Sequence, residues 1–305
     1  MVDLTKSSRI KDTGKDRVFN IVNMILTTFV LVIIFYPLYY VFICSFSSGA
    51  AIASSRVYLW PVDFTLDGYK AILDYELLMS GFANTFFYTF CGTCINVVMT
   101  VLAAYPLSRK ELYGRNVITM FFAFTMWFGG GMIPTYLLFK NLGIIDTRWV
   151  MIIPGALNVW NMVITRTYFQ KSIPEELLES AKLDGCTDLN YLTKIVLPLA
   201  KPILAVITLY YAVGHWNQFF NAMIYINTPE LYPLQLVLRD ILFTGEQAIT
   251  ASNGMMSMED ILYRENLQQM LKYSVIVVSA LPMLAMYPFV QKHFVKGIMV
   301  GALKG

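Results

Sequence analysis

The chain has 305 residues, 57% of them hydrophobic and 14% charged, with a mean hydropathy of +0.56. Soluble domains carry about 25% charged residues, so this composition excludes disorder and argues against an ordinary soluble fold. A net charge of +3 implies no nucleic-acid partner.

The first seventeen residues form a polar tail with Lys6, Arg9, Lys11, Lys15 and Arg17. No short apolar region with a cleavage site precedes the first long apolar run, so a removable signal peptide is not expected. A spanning helix needs ~20 mostly apolar residues to cross ~30 Å of hydrocarbon. Six segments reach that length: Val18–Phe46, Gly81–Leu107, Val117–Phe139, Trp149–Phe169, Ile203–Ile226 and Leu271–Val290. The expected architecture is an all-α polytopic membrane protein with six transmembrane helices. Residues 1–17 and 291–305 are its tails, and 18–290 its transmembrane domain. The first span exceeds the required length, so it is expected to tilt or project.

Connections and interruptions carry their own signals. Residues 47–80 contain LWPVDFTLDGYKAIL, read as a turn followed by a short interfacial helix. GGGMIP at 129–134 interrupts the third span, either as a kink or as an unwound element lining a pathway. Cys91 and Cys94 form a CxxC inside an apolar stretch without a second ligand pair. With Cys44 and Cys186 they read as small packing residues, not a disulfide framework or metal site. Residues 227–270 are expected to be a long connection, polar and flexible over TGEQAITASNGMMSMED. A loop of that length is commonly functional or disordered.

Lys and Arg placement orients the chain. Sixteen fall on the tails and the second–third and fourth–fifth connections, against seven on the other side. Both termini, and residues 172–198 between the fourth and fifth spans, are therefore expected to be cytoplasmic.

Residues 172–198 are unusually polar for this chain. Ser172 and Glu175 have capping-box spacing, with Pro174 suited to a first turn. Glu175, Glu176 and Glu179 favour the positive end of the helix. Leu178 and Ala181 share a face, and Gly185 is placed to end the helix in the left-handed conformation. Thr187 can cap a second helix whose apolar stripe is Leu189, Leu192, Ile195 and Val196, closed by Pro198. Shape alone would also fit an amphipathic connector resting on headgroups.

The pattern Glu179-x-Ala181, Gly185, Ile195-x-Leu197-Pro198 resembles the EAA loop of the permease subunits of bacterial ABC importers, with Ser180 in place of the middle Ala. Six spans and the C-terminal KGIMVGALKG resemble the carbohydrate-uptake, maltose-type branch. GGGMIPTYLL, RTYFQKSIPEELLESAKLDG and AVGHWNQFFNAMIYI resemble its complex-oligosaccharide members in Gram-positive bacteria. The resemblance covers nearly the whole chain and implies a type I importer permease fold. It implies that Glu175, Glu179, Ser180, Ala181, Asp184 and Gly185 dock on an ATPase, with Ile195, Leu197 and Pro198 anchoring the second helix. The implied partners are a second homologous permease, two copies of a cytoplasmic ATPase, and an extracytoplasmic solute-binding protein, a lipoprotein, in a Gram-positive plasma membrane. This chain has no GxxxxGK[ST] loop, so ATP and Mg are expected on the partner and no cofactor on this chain.

A sugar pathway needs polar groups at membrane depth and aromatic faces. Polar groups facing lipid are costly, so they mark a cavity or a helix interface. The fourth span offers Asn158, Trp160 and Asn161, and the fifth offers Trp216, Asn217, Gln218 and Asn221. These fit a substrate pathway or the contact with the second permease. His215 reads as a hydrogen-bonded packing residue, since no acid lies in its span. The tip containing Ser252, Asn253 and Gly254 is a candidate contact for the solute-binding protein, or else a solvated loop.

The reading is a permease subunit of an oligosaccharide importer, not an enzyme. The alternatives are an importer of the same type for a uronate, amino sugar or polyol phosphate, or a membrane-embedded glycosyltransferase. The near absence of acids in the spans argues against the last. It also argues against an ion-coupled carrier.

Overall fold

The computed structural model describes residues 13–252 and 258–302, which are helical or irregular without a strand. Helix α1 (Gly14–Cys44) begins at a capping box: the Asp16 amide donates to Thr13 Oγ1 and the Thr13 amide donates to Asp16 Oδ2 at 2.9 Å. Short helices α2 (Gly49–Ala53) and α3 (Asp67–Asp74) follow, then α4 (Glu76–Ser108), α5 (Arg115–Trp127), α6 (Met132–Asn141) and α7 (Val159–Ser172). The polar segment supplies α8 (Glu175–Leu183), α9 (Asp188–Tyr191), a π-turn over Leu192–Val196, and α10 (Leu197–Leu199). The remainder is α11 (Lys201–Trp216), α12 (Phe220–Tyr225), α13 (Leu234–Ser252) and α14 (Met258–Ala302).

Helix α4 is the central post, flanked by α7, α11 and α13. Its buried face reads Gly81, Thr85, Tyr88, Gly92, Asn96, Thr100 and Ala104, a step of three or four residues as one helix face requires. Small residues on this face let neighbours approach. A Cβ on Gly81 would sit 3.3 Å from the Leu234 backbone. Polar members on this face are held by partners: Leu234 N donates to Thr85 Oγ1 at 2.8 Å, and Tyr88 OH donates to the Leu231 carbonyl at 2.8 Å.

Helix α1 stands in contrast. Its apolar side chains from Val18 to Leu38 are mostly exposed, and only Ile43 and Cys44 are buried. In water such a surface costs about 25 cal/mol per Å², so hydrocarbon is the solvent this helix is built for.

Among the described residues, three helices are long and apolar enough to cross a membrane, or up to five if each bent pair is one span. The expected third span is broken: α5 and α6 meet at 110° across Phe128–Gly131, where Gly131 adopts φ +84°. The backbone is bent and unwound there, which glycine's freedom at positive φ makes possible. The expected fourth span, Trp149–Phe169, is not one continuous helix. A 3₁₀ turn at Arg148–Met151 and an irregular run precede the 14-residue α7. The fifth span breaks at Asn217–Phe219 between α11 and α12. Residues 227–270, expected as a flexible loop, are largely helical in α13 and the start of α14. Leu234, Leu236, Val237 and Leu238 bury against the body and fix the start of α13.

Candidate functional site

The helix pair at 172–200 forms one candidate site. Ser172 closes α7 and does not cap α8, whose N-cap is Pro174 without a side-chain bond. Glu175 is freed from the expected capping box and pairs with Lys110 instead. Lys182 pairs with Glu111, and Arg109 lies 3.7 Å from the same carboxylate. The Lys182 ammonium, hydrogen-bonded to Glu111, holds that carboxyl below its ordinary range. These pairs tie α8 to the α4–α5 connection. Arg109 adds a second tie, its guanidinium 5.7 Å from the Tyr105 ring centre and 5.5 Å from that of Tyr191.

Gly185 ends α8 at φ +71°. The Gly185 amide donates to the Lys182 carbonyl at 3.0 Å and the Cys186 amide to the Ala181 carbonyl at 2.9 Å. That double bond pattern is the Schellman motif, which satisfies the last carbonyls while turning the chain. Thr187 then accepts from Asn190 N and starts α9.

The two faces of α8 differ sharply. Leu178 and Ala181 are buried in the chain's own core beside Tyr191 and Leu192. Ala181 therefore gives close approach inside this chain and presents no surface to a partner. Glu179, Ser180, Asp184 and Gly185 are exposed. Leu183 is 90% exposed and Leu189 71%, so two leucines flank the Gly185 bend without cover. Leu189 thus leaves the apolar stripe expected for the second helix. Ile195 and Leu197 are half-buried and Pro198 exposed, while Tyr191, Leu192 and Val196 are the buried anchors. Pro198 has no N–H for the Lys194 carbonyl. The preceding turn widens, with Leu197 N donating to the Leu192 carbonyl, and the chain bends by 82° into α11.

The second candidate site is a cleft of about 590 Å³ between α4, α7 and α11. Asn158, Asn161 and Asn221 line it with Gln218, Trp160 and Tyr210. Asn158 caps α7, accepting from Asn161 N at 3.0 Å, and Trp160 is 60% exposed. Beneath them runs a polar network. His215 Nε2 lies 2.8 Å from Asn96 Oδ1, and the Asn96 amide nitrogen donates to the Gly155 carbonyl. Nδ1 lies 3.3 Å from Gln218 Oε1. One turn away, Tyr211 OH pairs with Thr100 Oγ1 at 2.7 Å and accepts from Asn158 N at 3.2 Å. Two parallel cross-links thus pin the irregular run before α7 to α4 and α11.

No family model matches the chain. Individual relatives do. Protein LplC of Bacillus subtilis (strain 168) is 41% identical over 294 residues, covering 96% of this chain and 97% of that protein. The polygalacturonan/rhamnogalacturonan transport system permease YtcP of the same organism is 39% identical over 294 residues, covering 95% and 100%. The crystal structure of a bacterial ABC transporter that imports the acidic polysaccharide alginate contains a chain that superposes with a TM-score of 0.84 at 37% identity, covering 94% of this chain and 100% of that one. The chain belongs to the permease subunits of the carbohydrate-uptake ABC importers. It is a transporter subunit, not an enzyme, and the ATPase of such importers is a separate chain.

Not every residue singled out from the permease's sequence faces the cleft. Trp216 is 2% exposed, donates to the Ser279 carbonyl at 3.1 Å and meets the Phe86 ring edge-on at 5.2 Å. It is a core residue, because α11 turns that side toward α14. Asn217 caps the end of α11, its Nδ2 on the Val213 carbonyl at 3.0 Å. It shares no continuous helix with Asn221. Ser252 closes α13, while Asn253 and Gly254 lie outside the described residues. Gln218, offered by the sequence, does line the cleft, whereas Asn96, Tyr210 and Tyr211 are not singled out by the sequence for it. The signal was present for Asn96, whose four-residue spacing from Gly92 and Thr100 marks a polar stripe along α4.

Proposed function

We propose that the permease moves an oligosaccharide bearing uronate units along the α4–α7–α11 cleft. The observation that carries this reading is the convergence of four amide side chains, Asn158, Asn161, Gln218 and Asn221, with the rings of Trp160 and Tyr210 in one cleft. Amides supply donors and acceptors for hydroxyls and carboxylates, and exposed rings offer faces to sugar carbons. No carboxylate is among the described residues that line the cleft, so none of them repels an acidic sugar. The named cargoes of two relatives near 40% identity, polygalacturonan/rhamnogalacturonan and alginate, support the same class.

ATP and Mg on a dimeric partner ATPase supply the driving energy. The exposed leucines around Gly185, with Glu179, Ser180 and Asp184, are the docking surface on this chain. A second permease completes the pathway, and a solute-binding lipoprotein delivers cargo from outside. Counting each bent pair as one crossing, and the run at 149–158 with α7 as another, six crossings put both termini in the cytoplasm of a Gram-positive cell. The basic excess on the tails and the 172–201 connection supports that orientation.

The test is ATP turnover by the reconstituted importer. Receptor loaded with oligogalacturonate should stimulate it and maltodextrin should not. Equal stimulation by maltodextrin would remove the uronate assignment. Undiminished transport by Trp160→Ala would remove the cleft.

A further inference from the structure

We propose that the hairpin Val57–Phe64 is a lipid anchor, seated in the interfacial layer of the bilayer beside the C-terminal end of α1. Read from the sequence, this segment is a turn, and the helix that follows takes the interfacial role. Helix α3 is packed against α14, where a Cβ on Gly68 would lie 2.5 Å from Ser274 Oγ and 3.0 Å from the Met270 carbonyl. The preceding hairpin carries the uncovered apolar surface.

Its depth follows from its partners. At the neck, Ser48 N donates to the Val62 carbonyl at 3.2 Å and Thr65 N to the Phe46 carbonyl at 3.0 Å, level with the end of α1. Toward the tip, Tyr39 OH donates to the Leu59 carbonyl at 2.6 Å and Tyr36 OH to the Tyr58 carbonyl at 3.3 Å. Tyr36 lies eight residues before Cys44, about 12 Å along the axis at 1.5 Å per residue. Helical side chains lean toward the N-terminus, so the hydroxyl lies no shallower than its Cα. The chain thus runs back down the flank of α1 for two turns and returns.

Counting from Val18, the first apolar residue after Lys15 and Arg17, ~20 residues span the ~30 Å of hydrocarbon and end near Leu38. Tyr36, Tyr39 and the hairpin tip fall at that boundary. Any tilt of α1 carries the boundary further along the helix and the tip deeper. Depth counted this way does not depend on which end faces the cytoplasm.

The chemistry of the tip suits that layer. Tyr58, Leu59 and Phe64 are each more than half exposed, and Trp60 is 76% exposed. Trp and Tyr collect where one side of the ring meets acyl chain and the other meets headgroups. The charged residues stay at the neck, where Arg56 and Asp63 pair at 3.3 Å. Val57, 1% exposed, anchors the hairpin among Ile43, Cys44, Ala51 and Ile52. The exposed rings continue the uncovered face of α1, where Phe35 and Leu38 are also exposed. The occupant is therefore the lipid that bathes that face.

The test uses the assembled importer in phospholipid vesicles and takes the difference in tryptophan emission between the natural chain and Trp60→Phe. The Trp60 component should lose about half its intensity to lipids brominated near the headgroup end of their chains, and be insensitive to aqueous iodide. Strong quenching by iodide would show an aqueous loop and overturn the proposal. Insensitivity to both quenchers would show a surface covered by the second permease or the receptor, and would overturn it equally. Leu59→Trp in the Trp60→Phe background gives an independent probe of the tip, with the same expected pattern.

Discussion

His215 and Gly92 occupy one space: a Cβ on Gly92 would lie 2.4 Å from His215 Nε2 and 2.5 Å from Cε1. The missing side chain on α4 is what lets the imidazole reach Asn96 across the helix interface. Gly92→Ala must therefore expel the ring from a packed site, at about 1–3 kcal/mol. In the Gly92→Ala, His215→Ala double variant the added methyl no longer meets the ring. That cost should fall well below the value measured beside His215. Thermal unfolding of the four proteins in detergent gives the coupling, and strict additivity would refute the direct clash.

Two tryptophans should separate stability from transport. Trp216→Ala removes a fully buried ring with a satisfied N–H and should cost about 3–5 kcal/mol. Trp160→Ala removes a 60% exposed ring and should change stability by less than about 1 kcal/mol while lowering sugar-stimulated ATP turnover. Unfolding midpoints and turnover measured on the same preparations check both halves.

At the docking surface, Leu183→Asp replaces a 90% exposed side chain, so the isolated permease should be unchanged within about 0.5 kcal/mol. Its co-purification with the ATPase should be lost. Gly185→Ala acts differently, forcing a Cβ into φ +71° at a cost of about 1 kcal/mol. It distorts the bend, so stimulated turnover should fall although the leucines remain. Retained ATPase binding by Leu183→Asp would place the contact elsewhere.

Asp146 ties two connections together. It accepts from Asn227 N and Thr228 N, both at 2.9 Å, and from Thr228 Oγ1 at 2.7 Å. The Thr228 backbone bond, then its hydroxyl and the Asn227 amide, hold the Asp146 carboxyl below its ordinary 3.8. A pKa depressed by folding means stabilisation present above 3.8 and lost as pH falls through the lower folded value. Asp146→Asn should therefore show a shallower loss of unfolding midpoint below pH 3.8 than the natural chain. Parallel acid titrations of the two proteins would decide it.

Much of the helix pair was legible in the sequence because its determinants are local. Gly185 needs positive φ, Thr187 caps from its own position, and Glu179-x-Ala181 is fixed by helical spacing. The Ser172 cap failed because α7 runs to its end and Lys110, 65 residues before Glu175, offers that carboxylate a charged partner. Long-range pairing overrode a local motif there, as it did where Arg109 fits between Tyr105 and Tyr191.

The sequence by itself determined the membrane class, the family and the bend at Gly185, since hydropathy, composition and short-range backbone preference are properties of consecutive residues. Tertiary structure alone decided which polar residues share a cleft and which are core. Trp216 and Asn217 are neighbours in sequence, yet one is sealed beneath α14 and the other caps a broken helix. Which way a side chain faces depends on where the backbone bends and on what packs against it, and the partners that α11 meets on α4 and α14 come from distant elements. The same reason lays the Val57–Phe64 hairpin along α1: the hydroxyls of Tyr36 and Tyr39 hold its carbonyls from outside its own segment.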